Sequence, residues 1–385
     1  METKYLIIGS GIAALQAAKG IRKKDPEATL TLVSKEEHVP YYRFRLTEAI
    51  ASDASLEELL VEKPSFYEEN RIRILLRTTV THVDYEKKEA QLAGGDSIFY
   101  EKLLLAVGSQ PFIPKYEGRH KENLFSVRTY RDIERLREKM DSLPCILVVG
   151  GGLLGLEAAH SLLQKGLEVH ICEFGPRLLA KQVNEKISAQ LQADLEKEGF
   201  LIHTGATLQE ASGFNRVEQV TLTDGQTFPC DAVLFSVGVR AQTDLAKGLD
   251  VNRGICTNEK LETSRPNVWA AGDCAEVNGA SYGLWTASMQ MGKIAGENMT
   301  GGSETYKNPQ LFTKLQIGEV QVFSAGSYEG DEVWEKTVDG TQVQIFYKEG
   351  TIIGGILYGS TAKMGKVRKL IGTQTPQNEL AEVFR

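Results

Sequence analysis

Gly150, Gly152 and Gly155 stand at the spacing G-x-G-x-x-G inside the stretch Cys145 to Glu173. Glycines so spaced serve phosphate recognition: the first makes a tight turn, the second lets backbone approach a pyrophosphate, and the third lets a helix pack close to a strand. Leu153 and Leu154 lie where that helix begins, so its first N–H groups would face the phosphates. The run Ile146 to Val149 ahead of the glycines is apolar and β-branched, as a buried parallel strand requires. An amphipathic helix follows through Ala158, Ala159 and Leu162, and a second strand, Leu167 to Cys172, ends on Glu173. A carboxylate at that position accepts hydrogen bonds from ribose hydroxyls and repels a 2′-phosphate. The stretch is a dinucleotide site, and Glu173 with its uncharged neighbour Phe174 favours NADH. Arg177 leaves NADPH as the lesser expectation.

The N-terminus carries the same device. Tyr5 to Ile8 reads as a strand, Gly9, Ser10, Gly11, Ile12, Ala13 and Ala14 give G-x-G-x-x-A, Ala14 to Lys23 reads as a helix, and Leu30 to Val33 as the next strand. The ribose-binding position after that strand is open between two readings: Glu36 through its carboxylate, or Ser34 and Lys35 through hydroxyl and backbone. Two such units in one chain predict two different dinucleotides, and a protein that holds two passes electrons between them.

The elements around these turns follow a repeated plan. Lys102 to Gly108, which includes Ala106, and Ala232 to Gly238 both read as buried strands ending in Val-Gly. Val268-Trp269 leads into Ala270-Ala271-Gly272-Asp273-Cys274-Ala275, where the acid can accept hydrogen bonds from the hydroxyls of a sugar chain. Ile72 to Leu76, Val80 to Val83 and Ala90 to Leu92 read as strands, with Gly94-Gly95-Asp96 as a hairpin signal. Trp285 to Met299 reads as a helix with small residues on one face. From Lys307 the pattern changes to strands at Glu319–Phe323, Glu332–Val338, Gln342–Tyr347 and Ile352–Tyr358, then a charged helix, Ala362–Ile371. The expected fold class is α/β: two Rossmann-like dinucleotide-binding domains plus a small α+β C-terminal domain. The expected boundaries are 1–110 with 237–306, then 111–236, then 307–385.

Composition narrows the function. The 385 residues carry a net charge of −7, which excludes nucleic-acid binding through a global basic field. No apolar run approaches the ~18 residues of a membrane span, and Met1 leads straight into a strand with no signal peptide, so a cytoplasmic protein is expected. The five cysteines (145, 172, 230, 256 and 274) form no C-x-x-C pair. That spacing argues against a disulfide framework, a zinc site or an iron–sulfur cluster, and no metal is expected.

In order, an N-terminal G-x-G-x-x-A, a strand ending Ala-Val-Gly, a G-x-G-x-x-G with Glu157, and Ala-Ala-Gly-Asp-Cys-Ala closely resemble the two-dinucleotide flavoprotein reductases of the pyridine nucleotide-disulfide oxidoreductase superfamily. Within it the chain resembles the rubredoxin reductase and nitrite reductase flavin-domain branch. The resemblance implies FAD in the first unit and NAD(P)H in the second. It implies that Gly9, Gly11, Ile12 and Ala13 surround the FAD pyrophosphate, that Val80 touches the adenine through its backbone, and that Asp273 meets the ribitol or pyrophosphate. It also implies Arg43 and Glu157 as the catalytic pair tuning the flavin ring, with Trp285 and Lys314 near its pyrimidine end. Disulfide-reducing relatives carry a C-x4-C pair on the first helix; no cysteine precedes Cys145 here, so a dithiol relay is excluded.

The resulting expectation is hydride transfer from nicotinamide to flavin, then single electrons to a small carrier protein, most simply a rubredoxin, by a monomer or homodimer. Docking an acidic rubredoxin needs a basic surface, either Lys363, Lys366, Arg368 and Lys369 or Arg43 with Arg45. The alternatives are an NADH oxidase or peroxidase acting on oxygen species, and a non-enzymatic FAD/NAD-binding redox sensor.

Overall fold

The structure is a computed structural model that describes residues 1–52 and 54–385. The chain forms two compact units. The first comprises Met1–Arg45, Ala54–Pro111 and Val239–Pro309; the second starts with a short segment from Leu46 and continues with Phe112–Gly238 and Gln310–Arg385.

In the first unit, strands Ile72–Leu75, Leu30–Val33, Glu2–Ile8 and Ser97–Leu105 lie side by side and parallel. These runs are apolar because both faces are covered, and Leu6, Ile7, Leu32 and Leu104 are fully buried. The long strand Ser97–Leu105 has its other edge shared between two partners. Its early half pairs antiparallel with Glu89–Leu92, while Leu103–Leu105 pair in parallel with Val268–Ala270. The returning chain thereby adds a strand to the sheet it left. Register aligns Ile8 with Val33 and Leu105, and Leu105 with Ala270, so these strands end at one level. That is the edge where open α/β sheets bind ligands.

Helix Ile12–Lys24 packs on this sheet against helix Trp285–Met299, both of which the sequence placed almost to the residue. Their backbones meet through small residues. A Cβ on Gly292 would lie 2.1 Å from the carbonyl oxygen of Ala13, and one on Gly296 2.3 Å from that of Ala17.

The second unit repeats the design with a parallel sheet in the order Leu201–Thr204, Glu168–Glu173, Cys145–Val149, Ala232–Phe235, Leu124–Ser126. A three-stranded antiparallel sheet, Leu208–Ser212, Gln219–Leu222 and Thr227–Pro229, attaches to it. The strands after Gln310 form a five-stranded antiparallel sheet, ordered Phe312–Ile317, Val320–Gly326, Thr351–Tyr358, Thr341–Lys348, Glu332–Val338. Its core holds Phe323, Val343, Ile345, Leu357, Val367, Leu380 and Phe384. Helix Glu185–Lys197 is fastened to this sheet: Asn184 donates to Gln344 at 2.9 Å, Gln342 to Gln190 at 2.9 Å, and Tyr358 to Asp194 at 2.6 Å.

Two of the elements that add to those expected from sequence lie after Gln310. Phe312–Ile317 is a strand whose first residues are largely exposed, so it shows no apolar run. Gln377–Val383 is a short helix that buries Leu380. Among the described residues no helix is long and apolar enough to cross a membrane.

Because two helix backbones touch at Gly296, Gly296→Val forces them apart. The expected loss is about 1–3 kcal/mol, the range for overpacking, read as a lower denaturation midpoint in urea.

Candidate functional site

The two glycine turns share one geometry. Gly9 has φ +124° and Gly150 φ +120°, a region that favours glycine. Each also runs into a neighbouring strand: a Cβ on Gly9 would lie 2.1 Å from the Ala106 carbonyl oxygen, and one on Gly150 2.5 Å from that of Ser236. Gly155 lets the helix settle on its own turn, since a Cβ there would lie 2.0 Å from the Gly150 carbonyl oxygen. Ala14, fully buried, holds the matching place in the first unit.

Gly11 and Gly152 differ from these. Their φ angles, −85° and −82°, suit any residue, and a Cβ on either would meet no protein atom within 4 Å. The protein itself has no use for glycine at these positions; the empty space is what a phosphate at close range requires. Each caps a helix, Ile12–Lys24 or Leu153–Gln164, whose N-terminus has no side-chain cap, leaving backbone N–H groups for an anion. Both turns fit a dinucleotide pyrophosphate.

In the first unit the strand ends gather several predicted residues into one network. The Ser10 and Ser34 hydroxyls are buried and 2.6 Å apart, and the Glu36 N–H donates to Ser34 Oγ at 3.1 Å. Glu36 is engaged by Arg43 at 2.5 Å and by the Tyr41 hydroxyl at 2.7 Å. Arg43 also donates to Tyr41 Oη at 2.9 Å and lies over its ring. Burial disfavours the Arg43 charge, but Tyr41, Glu36 and Asp273 more than offset it and raise its pKa. Asp273, beyond the positive-φ Gly272, accepts from Ser109 Oγ at 2.9 Å and Ser288 Oγ at 3.1 Å. Lys35 is exposed and donates to Gln242 at 3.1 Å. Ala106 and Val80 are buried, and Gly108 has φ +71°. Trp285 forms an aromatic trio with Tyr42 and Phe44, at ring separations of 5.6 Å and 5.3 Å.

In the second unit Glu173 closes over the glycine turn. One carboxylate oxygen accepts from the Gly151 N–H at 2.8 Å and the other from the Gly175 N–H at 2.7 Å. Leu153 is half-buried, Leu154 is exposed, and Gly238 sits at the end of the neighbouring strand with φ +103°. Glu157, on the helix, accepts from the Thr47 hydroxyl at 3.0 Å. Its carboxyl pKa is raised, mainly by burial; the Thr47 hydrogen bond lowers it in part and the nearby Glu48 charge adds to the rise. Lys314 is exposed on strand Phe312–Ile317.

Sequence reading missed Thr47, Tyr41, Ser109 and Ser288, because isolated hydroxyls carry no spacing signal. Of the two basic surfaces, the first has two of its three lysines occupied. Lys363 donates to the Phe384 carbonyl at 2.6 Å and to Asp339 at 2.8 Å, and Lys366 to the carbonyls of Val383 at 2.7 Å and Arg385 at 3.0 Å. These lysines cap the C-terminal helix. At the second, Arg43 is paired with Glu36, and Arg45 donates to the Glu58 carbonyl at 3.3 Å.

If Glu173 takes the ribose hydroxyls, Glu173→Ala removes charge-assisted hydrogen bonds worth about 1.5–3 kcal/mol. The KM for NADH should rise roughly tenfold to a hundredfold, with a smaller change for NADPH, in initial-rate assays with a dye acceptor.

Comparison with known proteins places this geometry. Residues 3–292 match the family described as pyridine nucleotide-disulphide oxidoreductase. The nitrite reductase [NAD(P)H] of Bacillus subtilis (strain 168) is 31% identical over 394 residues, covering 99% of this chain and 49% of that protein. The chain thus spans about half the length of that relative. The NADH-rubredoxin oxidoreductase of Clostridium acetobutylicum is 28% identical over 375 residues, covering 96% of this chain and 94% of its own. Among solved structures, the ferredoxin reductase for the CYP199A2 system from Rhodopseudomonas palustris superposes with a TM-score of 0.88 at 27% identity, covering 95% of this chain and 94% of that one. With a dinucleotide turn in each unit and a family match reaching both, the chain belongs to the pyridine nucleotide-disulphide oxidoreductases.

Proposed function

We propose that this chain is a cytoplasmic reductase that takes electrons from NADH through FAD and delivers them to a small electron-carrier protein of the rubredoxin type. FAD belongs to the turn at Gly11 and NADH to the turn at Gly152. The observation that carries the reading is the open space a Cβ would meet at both glycines, combined with the lack of any cysteine before Cys145. The first unit holds Cys256 and Cys274. Cys274 is fully buried, donates to the Leu105 carbonyl at 3.3 Å, and has its thiol pushed up to about 11 by burial. Such a thiol packs as a small apolar group and does not relay electrons.

FAD can accept a hydride from NADH and release the electrons singly, which suits a one-electron carrier. The protein supplies position and charge. Asp273, held by Ser109 and Ser288, accepts hydroxyls of the FAD chain. Glu36, which accepts from Arg43 and Tyr41, and Ser34 with Lys35 both remain candidates for the ribose. Arg43, kept cationic by its three neighbours, offsets negative charge on the reduced ring. Glu157, with its raised pKa, is the group able to hold a proton at higher pH than ordinary glutamate. The similarity to an NADH-rubredoxin oxidoreductase over nearly its whole length supports the choice of carrier.

Anaerobic rapid mixing tests the reading. Protein reduced by NADH should be reoxidised roughly tenfold or more faster by oxidised rubredoxin than by oxygen at equal concentration. Faster loss to oxygen would overturn it in favour of an oxidase. Flavin reduction by NADH should follow an ionisation above the ~4.3 of free glutamate. Below that ionisation Glu157 is protonated; above it, charged. Glu157→Gln should remove the break, and Thr47→Val should move it further up, because the hydrogen bond that favours the carboxylate is gone.

A further inference from the structure

At the opposite end of the second unit's parallel sheet from Gly150, two strand starts and a residue of a third strand bring together side chains the electron-transfer reading does not use. Cys145 opens its strand, and its register partner on the next strand is Glu168. Strand residues two apart point to the same face, so His170 joins Glu168, and His203 comes from the strand beyond. One ligand atom each from Cys145, Glu168 and His170 all lie within 4.8 Å of one another. His170 Nε2 is 3.2 Å from Glu168 Oε1, and His170 Nδ1 is 3.0 Å from His203 Nε2. The Phe228 ring stacks on His170 at 4.0 Å and 13°, fixing the imidazole plane. Cys145 and His170 are buried, while Glu168 is 61% exposed and opens the cluster to solvent.

A thiol, an imidazole and a carboxylate form a donor set for a borderline divalent metal. Zinc bonds of ~2.3 Å to sulfur and ~2.0–2.2 Å to nitrogen and oxygen set tetrahedral ligand atoms roughly 3.3–3.7 Å apart. The observed cluster needs to contract by at most about 1.5 Å to reach that. His170 also has the outer partner that metal-bound histidines have: with Nδ1–H donated to His203, Nε2 is left as the ligand. Spacing in the sequence hid this set, because Cys145 and His170 belong to different strands and no C-x-x-C marks them.

We infer that Cys145, Glu168 and His170 form a zinc(II)-type site, with solvent as the fourth ligand and His203 orienting His170. The ion ties together the starts of the two strands whose far ends carry the Gly150 turn and Glu173. Binding deprotonates the Cys145 thiol, and that proton leaves to solvent.

The test uses the full-length flavoprotein, stripped with a chelator and titrated with cobalt(II), then with zinc(II). One cobalt per chain should bind, with a thiolate-to-cobalt charge-transfer band in the difference spectrum, and zinc should displace it. Cys145→Ser should abolish the band. Glu168→Gln changes an exposed side chain and leaves the fold intact; with His203→Phe, which keeps a stacked ring, it should weaken zinc binding about tenfold to a hundredfold by calorimetry. Absence of the charge-transfer band, its survival in Cys145→Ser, unchanged affinity in Glu168→Gln, or a Cys145–Cys230 disulfide formed in place of metal uptake would each overturn the inference. None of these readouts depends on the electron acceptor.

Discussion

Both nucleotide turns rest on one contact of backbone with backbone. At the end of its strand Gly9 presses on the Ala106 carbonyl, and Gly150 on the Ser236 carbonyl, so close that any side chain is excluded. The chain must therefore leave the sheet sharply and enter a helix at once, with uncapped N–H groups facing the gap. Gly11 and Gly152 then keep the gap clear. The remaining residues of each site hang from neighbouring strand ends at the same level: Ser34, Gly108 and Asp273 in one unit, Glu173 and Gly238 in the other. In the first unit the helix against Trp285–Met299 is held by equally close contact, at Gly292 and Gly296.

Charge is managed differently in the two units. Arg43 is buried but surrounded by acceptors, so desolvation is offset and the cation persists. Asp273 accepts from two hydroxyls and also helps to keep Arg43 cationic. Glu157 sits under burial with one hydroxyl to soften it and another carboxylate nearby, and so retains its proton longer. Perturbed charges of this kind cluster at functional sites.

The glycine turns, the β-branched strands and the helix Trp285–Met299 were legible because each is written within a short window of sequence. What was not legible depended on partners far along the chain. Glu36 read as a candidate ribose ligand, and the fold adds that Arg43 and Tyr41 donate to it. Thr47 reaches Glu157 across 110 positions, and Ser109 reaches Asp273 across 164. Lys363 and Lys366 read as a docking surface, yet they cap carbonyls of the last helix. Strand Phe312–Ile317 escaped notice because its opening residues face solvent. The cluster of Cys145, Glu168 and His170 escaped for the same reason as the others: sheet register, not spacing, assembles it.

The central claim is that Gly11 and Gly152 guard separate spaces, one for FAD and one for NADH. Purifying Gly11→Val and Gly152→Val and recording flavin absorption before and after anaerobic NADH tests it directly. Neither valine meets protein at its Cβ, so both variants should fold, as circular dichroism will report. The account predicts that Gly11→Val is folded but colourless, while Gly152→Val is yellow, fails to bleach with NADH and still bleaches with dithionite. A yellow Gly11→Val, or a Gly152→Val that has lost its flavin, would contradict it.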